Sequence, residues 1–273
     1  MKIVEANGAR IPAIGFGTWD LRGETATTMV ESALEMGYRH IDTAQSYDNE
    51  REVGRGIAKA GLKRDEVFVT TKIWPDAFTG EEFRRAAQES LERLKLECVD
   101  LLLLHWPSKE VPLAETIEAL NWAEASGITR HVGVSNFTIA MMDEAVRLST
   151  APIVCNQVEY HPYLLQDRVH AACRARGMAM TAYCPIARGK VLGDPVIGRV
   201  AAAHGVSPTQ VTLRWLIDQD GVVAIPRTSR AERAEENLAL DFVLTAQETA
   251  EIDGLRSKNG RLVNIAQAPE WDV

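Results

Sequence analysis

Four side chains of different chemistry stand at or near the ends of apolar runs. The stretch "RHIDTAQSYDNE" (residues 39–50) ends a strand-like run on Asp42 and places Tyr47 in the polar segment that leads into a helix. "VFVTTKI" carries Lys72 in a β-branched run, and "LLLLHWP" follows four leucines with His105. Each has a plainer use on its own: a capping acid, a surface phenol, a core histidine. Together they form a proton-transfer set. A buried ammonium is costly unless paired, and Asp42 is the natural partner of Lys72. A tyrosine has a reference pKa of about 10. A cation beside it favours the phenolate and lowers that value, so Tyr47 is expected to act as an acid near neutral pH. His105 can donate a hydrogen bond to a carbonyl oxygen and polarise it. The set suits protonation of an oxygen on which negative charge is building, and hydride addition to a carbonyl fits best.

A second constellation is "IPRTSRAERAEEN" (residues 225–237), which follows a strand and opens a helix. Thr228 and Ser229 offer hydroxyls, and the helix start offers free backbone N–H groups. Arg227, Arg230 and Arg233 add positive charge suited to phosphate oxygens. A solvated helix with pairs such as Arg233 with Glu236 or Asn237 would explain the helix, but not the Arg-Thr-Ser stretch before it. Three arginines in an acidic chain favour a ligand with an extra phosphate, as in NADPH.

These residues need a scaffold that brings strand ends together. An Asn7-Gly8 turn between two short extended pieces predicts an N-terminal hairpin. After it, strand-like runs alternate with amphipathic segments: "AIGFGTW", "YRHIDTA", "VFVTTKI", "VDLLLLHW", "HVGVSNF", "IVCNQVEY", "MAMTAYCPI" and "GVVAIPRT". Such alternation means parallel strands joined by helical crossovers. The count favours a closed barrel, and so does the lack of GxGxxG after the first strand. The predicted fold is α/β, a (β/α)8 TIM barrel with an N-terminal β-hairpin and a C-terminal loop, in a single domain over residues 1–273. An extra helix is expected at 194–205 before one at 208–219, and a non-periodic tail at 256–273. In such barrels the C-terminal ends of the strands line the active site. Here they carry Trp19, Asp42, Lys72, His105, Ser135, Asn136, Gln157, Tyr183, Pro226 and Arg227.

Composition narrows the class. The chain has 273 residues, 46% hydrophobic and 25% charged, with net charge −8. That length suits one such barrel, typically about 250 residues. The acidic balance argues against general nucleic-acid or membrane binding. No run approaches the roughly 20 apolar residues of a membrane span. The N-terminus lacks a signal-peptide core, so a cytoplasmic location is the default expectation. Cys98, Cys155, Cys173 and Cys184 are not in CxxC spacing, so no metal site is expected and the thiols are read as reduced structural residues.

Over essentially its whole length the sequence resembles the aldo-keto reductases. The resemblance is carried by "GFGTW", "GYRHIDTAQSYDNEREVG", "VTTKIW", "DLLLLHWP", "GVSNF", "NQVEYHPYL", "AYCPI" and "IPRTSRAERAEEN", in that order. It implies a barrel that binds NADPH without a Rossmann fold. The catalytic tetrad would fall on Asp42, Tyr47, Lys72 and His105, with Tyr47 as proton donor. Ser135, Asn136 and Gln157 would hold the nicotinamide carboxamide, and Tyr183 would stack on the ring. Thr18 and Trp19 would flank that region, and Pro185, Ile186 and Ala187 would lie along the pyrophosphate. Pro226, Arg227, Thr228, Ser229 and Arg233 would sit at the 2′-phosphate end, with Glu236 and Asn237 at the adenine. Cys184 and Ala187 depart from the usual Ser and Gly of the pyrophosphate belt. Short loops suggest an open pocket for small carbonyl substrates, walled by Trp74 and Trp106 with Trp19 nearby. The expected partner is a small-molecule carbonyl compound, with no nucleic acid and no membrane, and the chain is taken as a monomer. Two rivals stay open: a Schiff-base aldolase using Lys72, and a nucleotide-holding sensor with little turnover.

Overall fold

A computed structural model describes residues 2–257 and 259–272. The chain opens with an antiparallel hairpin, β1 (Ile3–Ala6) and β2 (Ala9–Pro12), in register Ile3 with Pro12. Asn7 and Gly8 both take positive φ (44° and 93°), the backbone that a two-residue hairpin turn requires. Asn7 Nδ2 then donates to the carbonyls of Ile153 (2.8 Å) and Arg176 (2.9 Å), which fixes the hairpin across the rest of the chain.

Eight parallel strands follow, each feeding a helix. They are β3 (Phe16–Gly17), β4 (His40–Asp42), β5 (Phe68–Ile73), β6 (Val99–Leu104), β7 (Thr129–Ser135), β8 (Ile153–Glu159), β9 (Ala179–Tyr183) and β10 (Val222–Ala224). Their spatial order is their chain order, and every pairing is parallel. The ring closes where Gly15 N donates to Ala224 O (2.9 Å), Ala224 N to Ala13 O (2.8 Å) and Gly17 N to Pro226 O (3.0 Å). Strands covered on both faces read as continuous apolar runs. "VDLLLL" of β6 is buried throughout, and removing one such leucine typically costs about 2–5 kcal/mol.

The helices are α1 (Gly23–Met36), α2 (Glu50–Lys59), α3 (Gly80–Leu94), α4 (Leu113–Ala125), α5 (Ile139–Leu148), α6 (Asp167–Ala175), α7 (Pro195–His204), α8 (Pro208–Asp218), α9 (Ala231–Leu238) and α10 (Ala246–Asp253). The extra helix expected at 194–205 is α7. Asp194 caps it by accepting from Val196 N and Ile197 N, and Pro195 starts it. Close approach of α2 to its neighbours depends on glycine. A Cβ at Gly54 would lie 2.2 Å from Leu94 O, and one at Gly56 would lie 2.6 Å from Thr27 O. After α10 the described residues form only an isolated bridge, Ser257 to Leu164, so the tail is a loop. Among the described residues no helix is long and apolar enough to cross a membrane.

All four cysteines are free thiols, with Cys155 and Cys173 buried and Cys98 and Cys184 half-buried. Burial pushes the Cys155 and Cys173 thiols up to about 12, which leaves them unreactive.

Candidate active site

Parallel register puts the polar strand ends at one mouth of the barrel. Gly17 pairs with Asp42 and Ser135 with Gln157. Lys72, on β5, is fully buried. Its ammonium has three protons and three acceptors: Asp42 Oδ1 at 2.6 Å, Thr43 O at 2.8 Å and Tyr47 Oη at 3.3 Å. Burial alone would pull the Lys72 pKa down. Asp42, with Tyr47 adding to it, holds it above the ordinary amine value instead. Lys72 is therefore a fixed cation beneath a phenol.

Tyr47 closes a short 3-10 turn, Gln45–Tyr47, directly after β4. Arg22 donates to its carbonyl. Burial raises the phenol's pKa more than the charge and hydrogen bond of Lys72 lower it. The cation, which the sequence reveals, acts downward as expected, but desolvation of the phenolate outweighs it, so the expected lowering is corrected to a rise. Tyr47 is thus protonated at neutral pH, in contact with a cation that would favour its conjugate base.

His105 follows β6, and its backbone N–H donates to Ile73 O at 3.0 Å. The ring meets Tyr47 edge-on at 5.6 Å and Trp74 at 5.1 Å between centroids. Burial first, and then Lys72, push its pKa well below 6.5, so the imidazole is neutral. Nδ1 lies 3.3 Å from Ser46 Oγ, and Nε2 makes no hydrogen bond to the described residues. The residues Asp42, Tyr47, Lys72 and His105 thus form one connected cluster.

A second ring of polar groups abuts it. Gln157 Nε2 donates to Asp42 Oδ2 at 2.8 Å. Ser135 Oγ donates to Gln157 O (2.8 Å), and Asn136 Nδ2 to His105 O (3.0 Å). Tyr183 Oη donates to Asn136 Oδ1 at 2.8 Å. Asn136 stands in the left-handed region (φ 63°), which turns its side chain back across the strand ends. Thr18 Oγ1 donates to Asp42 O at 3.0 Å, while Trp19 beside it is 54% exposed. Cys184, Ala187 and Arg188 also have positive φ, so the segment holding buried Pro185 and Ala187 and half-buried Ile186 is strained backbone.

The arginine-rich loop lies across the barrel's closure. Gly17 there admits no side chain, since a Cβ would lie 2.9 Å from Ile225 O. Pro226 and Thr228 are buried, Ser229 and Arg233 are exposed, and Asn237 is buried under half-buried Glu236. Arg227 Nε donates to Trp19 O (2.9 Å) and NH2 to Asp20 O (3.0 Å), spanning the gap between two loops. Arg230 and Arg233 form no ion pair among the described residues, so the pairing of Arg233 with Glu236 or Asn237 is not formed.

Of the three tryptophans, Trp74 packs on His105. Trp106 is only 4% exposed, and Trp271, from the tail, meets it edge-on at 6.1 Å between centroids. Ser46, Glu159 and Trp271 lie outside the set of residues that the sequence marks. Glu159 ends β8 as Asp42 ends β4, so the same rule points to it. Among the described residues no cluster of three or more His, Cys, Asp or Glu could hold a metal.

Comparison with known proteins agrees with this geometry. A profile of the Aldo/keto reductase family matches residues 13–257. The chain is 43% identical over 267 residues to methylglyoxal reductase DkgB of Escherichia coli O157:H7, covering 96% of this chain and 99% of that one. It is 38% identical over 251 residues to glyoxal reductase of Bacillus subtilis (strain 168), covering 91% and 90%. A crystal structure provisionally described as 2,5-diketo-D-gluconic acid reductase B superposes with TM-score 0.98 at 47% identity, over 100% of this chain and 98% of that one. A Bombyx mori aldo-keto reductase solved in complex with NADP superposes with TM-score 0.91 at 33% identity, over 99% and 97%. The eight-strand barrel, its cluster of polar strand ends and these matches together show that the chain belongs to the aldo/keto reductase family.

Proposed function

We propose that this protein reduces aldehydes and ketones to alcohols with NADPH, small dicarbonyls foremost, and that Tyr47 supplies the proton. The observation that carries the reading is the saturated Lys72 ammonium, which touches the Tyr47 hydroxyl beside a neutral His105.

The residues present suit the cofactor. Two exposed guanidiniums that form no ion pair among the described residues, Arg230 and Arg233, sit with the Thr228 and Ser229 hydroxyls at the start of α9, in a chain of net charge −8. That donor set matches a phosphate beyond the pyrophosphate, which favours NADPH over NADH. Ser135, Asn136 and Gln157 would hold the carboxamide, and Tyr183 the ring. Thr18, Trp19, Pro185, Ile186 and Ala187 would line the path to Pro226, Arg227, Glu236 and Asn237. When bound, NADPH supplies the hydride.

The chain's own groups handle the oxygen. With Ser46 Oγ–H as the donor to His105 Nδ1, the neutral ring would carry its proton on Nε2, and that N–H would orient the carbonyl oxygen. Tyr47, kept protonated by burial, gives its proton as negative charge builds on that oxygen. Lys72 stabilises the phenolate left behind, and Asp42 keeps Lys72 charged and in place. Such positioned proton donation contributes roughly 10²–10⁴-fold. Two relatives are named for methylglyoxal and glyoxal, both small dicarbonyls. The short segment 105–112 between β6 and α4 agrees with substrates of that size.

The aldolase alternative requires Lys72 as a neutral nucleophile. A lysine held above its ordinary pKa, with every proton engaged, is unsuited to that role. The test is loss of NADPH absorbance with a panel of methylglyoxal, a diketo sugar acid and simple aldehydes. No oxidation of NADPH with any of them removes the reading.

A further inference from the structure

Side chains alternate along a strand, so Cys155, Gln157 and Glu159 share one face of β8. Cys155 touches Thr181 of β9 at 3.2 Å, and Gln157 reaches Asp42 across the barrel. Glu159 tops this row at the mouth, and its side chain is wholly buried. The acid makes no hydrogen bond or ion pair with Asp42, Tyr47, Lys72 or His105, and apart from nearby His161 its side-chain partners lie in the tail. Oε1 accepts from Leu262 N at 2.6 Å and from His161 Nε2 at 2.9 Å. Oε2 accepts from Val263 N at 2.9 Å, and Arg261 NH1 lies 3.9 Å away. A buried carboxylate is thus occupied with holding two consecutive backbone N–H groups of a segment that has no helix or strand of its own.

That segment carries an aromatic assembly to Trp106, the residue after His105. The Arg261 guanidinium lies 3.5 Å over the Trp271 ring, and Trp271 Nε1 donates to Asn264 Oδ1 at 3.0 Å. Trp271 meets Trp106 edge-on. Lys109 Nζ, in the loop beyond Trp106, donates to Ala266 O at 2.6 Å. The Arg261 charge acts on the Tyr183 phenol against the burial that raises its pKa. Of these fastenings, the one at Glu159 is buried and ionic, whereas the Lys109 contact is exposed.

We propose that Glu159 is a positioning residue: by clamping Leu262 and Val263 to the end of β8, it fixes the tail that seats Trp271 on Trp106 and so shapes the carbonyl pocket. The kinetic half of this proposal rests on the carbonyl-reductase reading, and the structural half does not.

Glu159→Gln keeps the size but loses the charge and one acceptor. Trypsin reads the clamp directly, because the Arg261–Leu262 bond has its N–H on Glu159. In Glu159→Gln, cleavage at that bond under native conditions is expected to speed up by about tenfold or more, from the loss of charge-assisted bonds. The carbonyl KM is expected to rise by about tenfold, with kcat within about threefold and NADPH affinity unchanged. A merely structural role would lower thermal stability without that split between KM and kcat. Cleavage at the wild-type rate, or an unchanged carbonyl KM, overturns the proposal. Trp271→Ala guards against a misfolded first variant: it should raise the carbonyl KM similarly, and an unchanged KM there overturns the proposal too. A wild-type protein that reduces no carbonyl would remove the proposed function, while the trypsin rates would still decide whether Glu159 clamps the tail.

Discussion

Gln157 Nε2 donates to Asp42 Oδ2 at 2.8 Å, joining β8 to β4 across the interior of the barrel. The other oxygen, Oδ1, takes Lys72 at 2.6 Å. One carboxylate therefore couples the ammonium under Tyr47 to the polar ring proposed for the nicotinamide.

The first consequence concerns stability. Removing one member of a buried ion pair leaves the other unpaired, typically at about 3–5 kcal/mol. Asp42→Asn and Lys72→Met should each destabilise the fold by that order in urea unfolding. The double variant should recover much of the loss, because neither charge is then left alone. Strictly additive losses would show that the two groups are not coupled as the 2.6 Å contact implies.

Tyr47→Phe removes the proton and little else. The ring stays near His105 and 4.9 Å from the Lys72 ammonium, so the fold and the cofactor surface are untouched. Turnover should fall by about 10²–10⁴-fold, with NADPH affinity measured by fluorescence titration within about twofold. Wild-type turnover in this variant would eliminate Tyr47 as the donor.

Much of this arrangement is written in periodic features of the chain. Eight apolar runs separated by amphipathic segments dictate parallel strands with crossovers, and a polar group ending a buried run marks the barrel's mouth. Asp42, Lys72, His105 and Gln157 are legible for that reason. Ser46 and Trp271 are not, because their contacts lack any period; Glu159 is legible as an acid ending a strand, but its partners are not. Ser46 meets His105 through a turn, and Glu159 binds backbone N–H groups about a hundred residues away. Trp271 lies in a loop whose course is set by those bonds. The direction of the Tyr47 pKa is not legible either. Sequence reveals a nearby cation but not how deeply the phenol is desolvated, and desolvation is the larger effect.

Two buried histidines make the fold acid-sensitive. His40 is 1% exposed and His105 8% exposed. Burial, the largest cause for each, holds both pKa values below 6.5. Below pH 6.5 the unfolded chain takes up protons that the folded chain refuses. Stability is therefore full above about pH 6.5 and falls as pH drops toward the folded values, by up to about 1.4 kcal/mol per pH unit for each ring. The urea midpoint should be lower at pH 5.5 than at pH 7.5. Equal midpoints would mean that the rings already carry protons in the native state, which would also remove the neutral His105 on which the proposed mechanism depends.

Choice of cofactor should reside in the arginines at the start of α9. Arg230 and Arg233 are exposed and form no ion pair among the described residues, so removing them disturbs little packing. Arg227 differs, because its guanidinium already binds the carbonyls of Trp19 and Asp20, and its loss would also loosen that loop contact. The cleaner variant is thus Arg230→Ala with Arg233→Ala. Each charge-assisted bond to a phosphate contributes about 1.5–3 kcal/mol, or roughly 10–100-fold in affinity. NADPH binding should weaken by at least about tenfold and lose part of its salt dependence, whereas NADH binding, which lacks the extra phosphate, should change by less than about twofold. Parallel titrations of both nucleotides at low and high salt measure this. If the two weakened equally, the guanidiniums would be acting on the whole nucleotide, and the preference for NADPH would have to come from Thr228, Ser229 or Arg227.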